Sequence, residues 1–246
     1  MIKKGLIIFV LLISILLPVY SGIRVITDNY PPYNYIEKGE IVGISTAIVK
    51  EVLKRSNIDY ERIEVKPWPR AYLISLKNDN VLIYSIAKTK RREDLFKWVG
   101  IIAPYKLYLF KMKSRDEISI NSLMDAKEYK IGVVPKDVRA QYFLQHGFNK
   151  NIENVANDSL NVKKLYNGRI DLVPNEELSM MFRIKKLGFN PKKVEKAYYL
   201  KDLSTNLYMA FSNGTSDEII NRCKRALKEI KNDGTYEKIW DSLIKK

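Results

Sequence analysis

The chain has one cysteine and one histidine among its 246 residues, and these two scarcities remove several kinds of chemistry at once. Cys223 has no second thiol to pair with, so no internal disulfide can form. It recurs with Ile219, Ile220, Leu227 and Ile230 at helical spacing, which reads as a small buried thiol on an amphipathic helix. A zinc site lacks the ligands it needs. His146 completes a Ser-His-Asp triad only on paper; it precedes Gly147 at an expected helix end, where it caps the last carbonyls. Nucleophilic and metal catalysis are therefore not expected, nor is a cofactor. Zinc-finger spacing and RNA-reading aromatic motifs are missing as well, so no nucleic-acid partner is expected. There is no short internal repeat and no low-complexity linker. After residue 17 no stretch is long and apolar enough to cross a bilayer, which takes about 20 residues.

What is present begins at the N-terminus. Met1-Ile2-Lys3-Lys4 precedes an apolar core from Leu6 to Leu17, broken only by Ser14, and Pro18-Val19-Tyr20-Ser21 leads to Gly22. A positive end, a short apolar centre and a small-residue exit are the parts of a secretory signal peptide. Residues 1–21 are expected to be removed and the rest exported to the periplasm; an uncleaved anchor is the alternative. The junction carries no cysteine, which argues against a lipid anchor. About 225 residues remain, enough for one large domain or two lobes. Without Lys3 and Lys4 the formal charge of +15 falls to about +13. That excess favours anionic surfaces or solutes, although the basic residues are spread along the chain rather than clustered.

The stretch that organises the rest is 81–98. Val81 to Ile86 is a short, β-rich apolar run, the pattern of a strand buried on both faces in a parallel sheet. A polar turn follows, Ala87-Lys88-Thr89-Lys90-Arg91-Arg92. Ligands of open α/β sheets sit just past the carboxyl ends of strands. A cationic turn there either holds an anion, most simply a carboxylate on one guanidinium, or is a solvated charged loop.

Around it the pattern alternates. Ile23–Thr27 reads as a strand and is followed by Asp28-Asn29-Tyr30-Pro31-Pro32-Tyr33, a loop expected to be extended by its prolines. Helical spacing runs from Ile44 to Asn57, a strand from Tyr60 to Val65, and a helix from Pro67-Trp68-Pro69-Arg70 through Leu76. Trp68 either packs on the core or faces a cleft. Val99 to Met112 reads as one extended crossing segment, and Ser114 to Lys127 as polar with a short helix near Ser122. A second series then begins: strand Tyr129–Val134, helix Val138–Gln145, a short strand at Val155, helix Asp158–Tyr166 and strand Ile170–Val173. A further helix starts at Pro174-Asn175-Glu176-Glu177 and runs towards Gly188. Extended segments at Ala197–Leu200 and Leu207–Phe211 and helices at Asp217–Lys231 and Tyr236–Ile244 close the chain. This is the alternation of an α/β protein.

In this order, the Tyr-Pro-Pro-Tyr loop, Pro-Trp-Pro-Arg-Ala-Tyr, Tyr-Ser-Ile-Ala-Lys-Thr-Lys-Arg-Arg-Glu, Gly168-Arg169-Ile170-Asp171 and Asn232-Asp233-Gly234-Thr235-Tyr236 resemble the family 3 extracellular solute-binding proteins, the periplasmic receptors of polar amino-acid ABC importers. The likeness covers essentially the whole chain after residue 21. It implies a type II periplasmic binding fold, two α/β lobes joined by two crossing strands, with lobe one at 22–109 and 206–246 and lobe two at 110–205. It also implies a site. The family's carboxylate-binding Arg, third after a Thr, maps to Arg92 after Thr89 and leaves Arg91 to solvent. A polar contact that is often Ser falls on Ala87, where only the backbone N–H can serve; Ser85 either contributes instead or is a core strand residue. The first-loop aromatic maps to Tyr30 and the opposite wall to Trp68, with Arg70 of the same motif placed among the ligand contacts. On lobe two the turn into a helix maps to Lys136-Asp137-Val138-Arg139, whose backbone donors would share the carboxylate. Val138 replaces the Thr often found there. The ammonium-binding Asp maps to Glu176, which is otherwise a favourable charge at a helix N-terminus.

The resemblance implies a non-enzymatic, monomeric periplasmic protein that captures a small polar solute, amino-acid-like or carboxylated, by hinge closure for an ABC permease at the inner membrane. Because Ala87 and Val138 leave the usual pocket incomplete, peptides, polyamines and other acids stay open. The alternatives are a dehydratase of the periplasmic cyclohexadienyl type with Glu176 as general acid, or a ligand sensor acting in trans.

Overall fold

The apolar run at Val81–Ile86 becomes the centre of a five-stranded sheet in the computed structural model, which describes residues 22–244. The expected signal peptide lies outside the described residues. The first lobe opens with β1 (Arg24–Thr27), a small hairpin of β2 (Tyr35–Glu37) and β3 (Glu40–Val42), and α1 (Ile44–Arg55). It continues with β4 (Ile63–Val65), α2 (Trp68–Lys77), β5 (Val81–Ala87), a 3-10 turn at Lys90–Leu95 and β6 (Phe96–Tyr105). The second lobe holds β7 (Leu107–Met112), β8 (Ile131–Val133), α3 (Val138–Gln145), β9 (Ile152–Asn154) and α4 (Asp158–Tyr166). It ends with β10 (Val173–Glu176), α5 (Glu177–Lys186) and β11 (Val194–Tyr199). The chain then returns through β12 (Thr205–Ser212) and finishes with α6 (Asp217–Asn232) and α7 (Thr235–Ile244) on lobe one.

The lobe-one sheet has the order β4-β1-β5-β12-β6. Every residue of β5 is buried, as a strand covered on both faces requires. The sheet is parallel only on one side, however: β5 runs parallel to β1 but antiparallel to β12, because β12 comes back from the other lobe. α1 and α6 cover one face. α6 buries Ile219, Ile220, Cys223, Ala226, Leu227 and Ile230 along a single stripe, and burial pushes the Cys223 thiol up to about 11. Gly43 sits at the start of α1 with φ 114°, and a Cβ there would lie 2.5 Å from the Tyr33 carbonyl oxygen, so the position requires glycine.

Lobe two is built on the antiparallel sheet β10-β7-β11 and the parallel pair β8-β9. The expected single crossing segment is two strands, broken at Lys106. β6 pairs with β12 in the first sheet, while β7 pairs with β10 from Leu107 onwards. Residues 107–109 therefore hydrogen-bond within the lobe-two sheet. The strand expected at Ile170–Val173 and the helix expected from Pro174 are displaced in the same sense. β10 runs Val173–Glu176, and the helix begins only at Glu177. Pro174 fits there because β10 is an edge strand of its sheet. The Tyr-Pro-Pro-Tyr loop is not extended either. It closes into a tight turn, with Tyr30 N donating to Asn34 O at 2.7 Å. His146 does cap α3, its Nδ1 lying 2.8 Å from Tyr142 O.

Candidate functional site

Arg92 is 1% exposed, inside the 3-10 turn that follows β5, while Arg91 beside it faces solvent. Its guanidinium lies over the rings of Trp68, at 5.3 Å, and Tyr72, at 5.0 Å. Those two rings are themselves stacked on α2. Such contacts are worth about 2 kcal/mol when desolvated. Arg92 Nη1 donates to Ala87 O at 3.3 Å and Nη2 to Lys136 O at 3.2 Å, and its Nε has no partner among the described residues. Burial pulls the guanidinium pKa down, with the Asp137 charge opposing. A buried cation whose hydrogen bonds go to neutral carbonyls, with its Nε–H unanswered, is suited to an arriving anion.

The crevice beside it encloses about 310 Å³, mouth included. Trp68, Ser85, Ala87 and Arg92 line it from one side with Tyr30; Asp137 and Val138 line it from lobe two. Ser85 owes its place to a local irregularity. Its φ is +59°, and the pairing of β5 with β12 slips there, with Tyr84 opposite Met209 and Ile86 opposite Tyr208. The bulge re-aims the side chain, and the Ser85 hydroxyl, buried, has no partner among the described residues. The Thr89 hydroxyl is likewise unpartnered, while the Thr89 carbonyl accepts from Arg92 N and so fixes the turn.

Two expected contacts lie elsewhere. Arg70 is exposed and lines a shallow outer groove with Pro69, Leu73 and Lys77. Two residues along a helix turn the side chain by about 200°, so once Trp68 faces inward Arg70 must face out. Glu176 is buried at the start of α5, but its carboxylate is turned onto its own helix, accepting from Ser179 N at 3.0 Å. Burial raises its pKa. Of its two readings, the helix-terminal one describes the geometry.

Several residues at the crevice were not legible in the sequence. Asp28, directly after β1, lines it, as do Tyr105 and Leu207. Asp28 keeps part of its surface exposed, yet its carboxyl is set deeply enough for burial to push it up to about 7, with Arg183 pulling the other way. Burial also pushes the Tyr30 and Tyr105 phenols up. Behind the lobe-two wall, Arg139 binds Asp137 through Nε at 2.7 Å and Nη2 at 3.1 Å, Asp158 at 3.0 Å and Pro174 O at 3.0 Å. Arg183 lies 3.8 Å from Asp158. Burial favours the neutral forms, but the two guanidiniums outweigh it and hold Asp158 below the usual carboxylate range.

The lobes touch across the crevice. Trp68 Nε1 donates to Lys136 O at 3.1 Å, Tyr30 Oη to Asn175 Oδ1 at 3.3 Å, and Arg183 Nη2 to Asn29 O at 2.9 Å. The arrangement is that of two jaws, with Arg92 buried on one and Arg139 and Arg183 on the other.

The sequence pattern of the bacterial extracellular solute-binding proteins, family 3, matches residues 23–246. The chain belongs to this family. Family 3 relatives include a probable histidine-binding protein of Campylobacter jejuni, 28% identical over 89% of this chain and 81% of the relative. The L-cystine-binding protein TcyA of Bacillus subtilis is 23% identical over 86% and 76%. An ancestral arginine-binding protein solved with arginine superposes with a TM-score of 0.75, covering 90% of this chain and 97% of that one at 22% identity, a likeness of fold. The two α/β lobes are thus those of a periplasmic binding protein, and the chain is a solute-binding protein.

Proposed function

We propose that this family 3 protein captures a small amino-acid-like or carboxylated solute in the crevice and presents it, lobes closed, to an ABC permease. The observation that carries the reading is Arg92, almost wholly buried against two aromatic rings, with a carbonyl rather than a carboxylate on Nη2. A solute carboxylate would replace the Lys136 carbonyl and reach the free Nε, a charge-assisted pairing worth roughly 1.5–3 kcal/mol per bond. Its ammonium would face Asp28. Relatives named for histidine and cystine handle solutes with the same carboxylate-and-ammonium end. Tyr30, Ser85, Thr89 and the start of α3 supply the remaining contacts, while Val138 offers an aliphatic surface in place of a hydroxyl.

Closure would proceed by hinge motion at the two crossings, near Lys106 and at Leu200–Thr205, because contacts such as Trp68 to Lys136 exist only when the lobes meet. We read this work as periplasmic, in keeping with the expected export signal, with the protein acting as a monomer. A thermal-shift screen of amino acids and small carboxylates tests the reading. At least one solute should raise Tm in the wild type and none in Arg92→Ala. Unchanged melting across the screen, or the same response in both proteins, would overturn it.

A further inference from the structure

Tyr35 and Phe182 stand on opposite lobes, the first opening β2 and the second on α5, with ring centroids 5.0 Å apart and planes at 59°. Neither ring lines the crevice, and neither belongs to the hydrophobic clusters that make up the lobe cores among the described residues. Both are half-buried. Lys186 is one turn further along the same face of α5. Its ammonium lies 5.5 Å over the Tyr35 ring and 5.9 Å over the Phe182 ring. The contact is tied to the site without touching it. Tyr30 N donates to Asn34 O at 2.7 Å and Asn34 N to Tyr30 O at 3.0 Å, so Tyr35 moves with Tyr30, a wall of the crevice. On the other side Arg183, next to Phe182, donates to Asn29 O at 2.9 Å and lies 5.7 Å over the Tyr30 ring. α5 thus grips the segment 29–35 at both ends, with Arg183 at Asn29 and Tyr30, and Phe182 and Lys186 at Tyr35.

We propose that Tyr35, Phe182 and Lys186 form a clasp between the lobes, positioning residues that hold the crevice shut and set how long a solute stays in it without selecting which solute enters. The dwell time rests on the capture reading above; the hold on the lobes does not. Two rings that pack in neither core and face no solute have each other as their apolar partner, and that partnership is lost when the lobes part. A tilted aromatic pair with a cation over its faces corresponds to about a fivefold change in an equilibrium or more. Opening must break the clasp whatever lies between the lobes, so its effect is common to all solutes.

Surface plasmon resonance on wild type, Phe182→Ala, Phe182→Tyr and Lys186→Met reads the release rate, with the twenty amino acids, acetate, succinate and citrate as probes. Every probe that binds should leave Phe182→Ala about fivefold faster or more, and Lys186→Met roughly threefold faster, with the order of affinities kept. Phe182→Tyr, which keeps the ring, should release at the wild-type rate. An unchanged release rate in Phe182→Ala overturns the inference. So does a rate that changes for some probes and not others, which would place the ring on the solute. Small-angle scattering without solute gives an independent reading. The radius of gyration of Phe182→Ala should exceed that of wild type, and equal radii overturn the clasp. If no probe binds wild type, the capture reading falls and scattering alone decides the clasp. Should Phe182→Ala not fold, Tyr35→Ala takes its place with the same expected outcomes.

Discussion

The backbone carbonyl of Lys136 lies 3.2 Å from Arg92 Nη2, so an acceptor from lobe two rests on the one buried guanidinium of the lobe-one jaw. Trp68 Nε1 donates to the same oxygen at 3.1 Å. The two lobes are thus joined at Arg92 by an acceptor that, on the proposed reading, an arriving carboxylate would displace, so that loading the site would part the jaws.

Trp68→Phe keeps a ring beneath Arg92 but removes one of the two lobe-one donors to Lys136 O, which also accepts from Gln141 Nε2 of its own lobe. A net hydrogen bond of about 1 kcal/mol corresponds to roughly a fivefold shift from closed to open in the solute-free protein. Small-angle scattering should register a larger radius of gyration for the variant without solute and the same radius as wild type with it. An unchanged solute-free radius would mean that this bond does not hold the lobes together.

Asp28 gives the site a pH dependence of definite sign. Its carboxyl, pushed up to about 7 by burial, is protonated at pH 5 in the solute-free closed form, among the charges of Arg183, Asp137 and Asp158. A solute ammonium favours the ionised carboxylate, so binding expels a proton. Affinity should rise as pH climbs from about 5 to about 7, by up to about tenfold per unit, and level off above that. Without solute the sense is opposite: closed-form stability falls as pH rises from the ordinary carboxylate range to about 7. Calorimetry in two buffers of different ionisation enthalpy should count close to one proton released near pH 6 by wild type and none by Asp28→Asn.

Asp158 is 5% exposed and holds Arg139 while facing Arg183. Asp158→Ala takes from buried Arg183 the carboxylate 3.8 Å away and leaves buried Arg139 with the Asp137 carboxylate alone, and should destabilise the fold by about 3–5 kcal/mol in urea at pH 7. Because the folded protein holds this carboxyl below its usual range, its contribution is full above that range. It is lost as pH falls through the folded value. The difference between variant and wild type should therefore shrink in acid; a difference that persists at pH 2 would assign the loss to packing rather than charge.

These residues also show what a sequence can carry. β5 was legible because seven consecutive buried residues leave an apolar run interrupted only by Ser85, and the α6 stripe because its period is helical. Arg92 was legible through its spacing from Thr89 in the family pattern. Asp28 was not, since a single acid after a strand looks the same in any turn. Nor was Arg139: a cation in the first turn of a helix is normally solvated, and its pairing with Asp158 spans 19 residues of chain. Arg70 was misplaced because a short helix of mixed composition does not declare which side of Trp68 is inward. Glu176 stands at the start of α5, where its side-chain direction is set by the unsatisfied N–H groups of that helix.

The claim on which the account turns is that Arg92 takes a carboxylate. Its most direct test is calorimetry of the tightest solute against its own carboxamide, on wild type and Arg92→Ala. The amide should bind wild type at least thirtyfold more weakly than the acid, the scale of a lost buried charge pair of 2 kcal/mol or more, and the two should bind Arg92→Ala with equal, weak affinity. An amide that binds wild type as tightly as the acid would contradict the account.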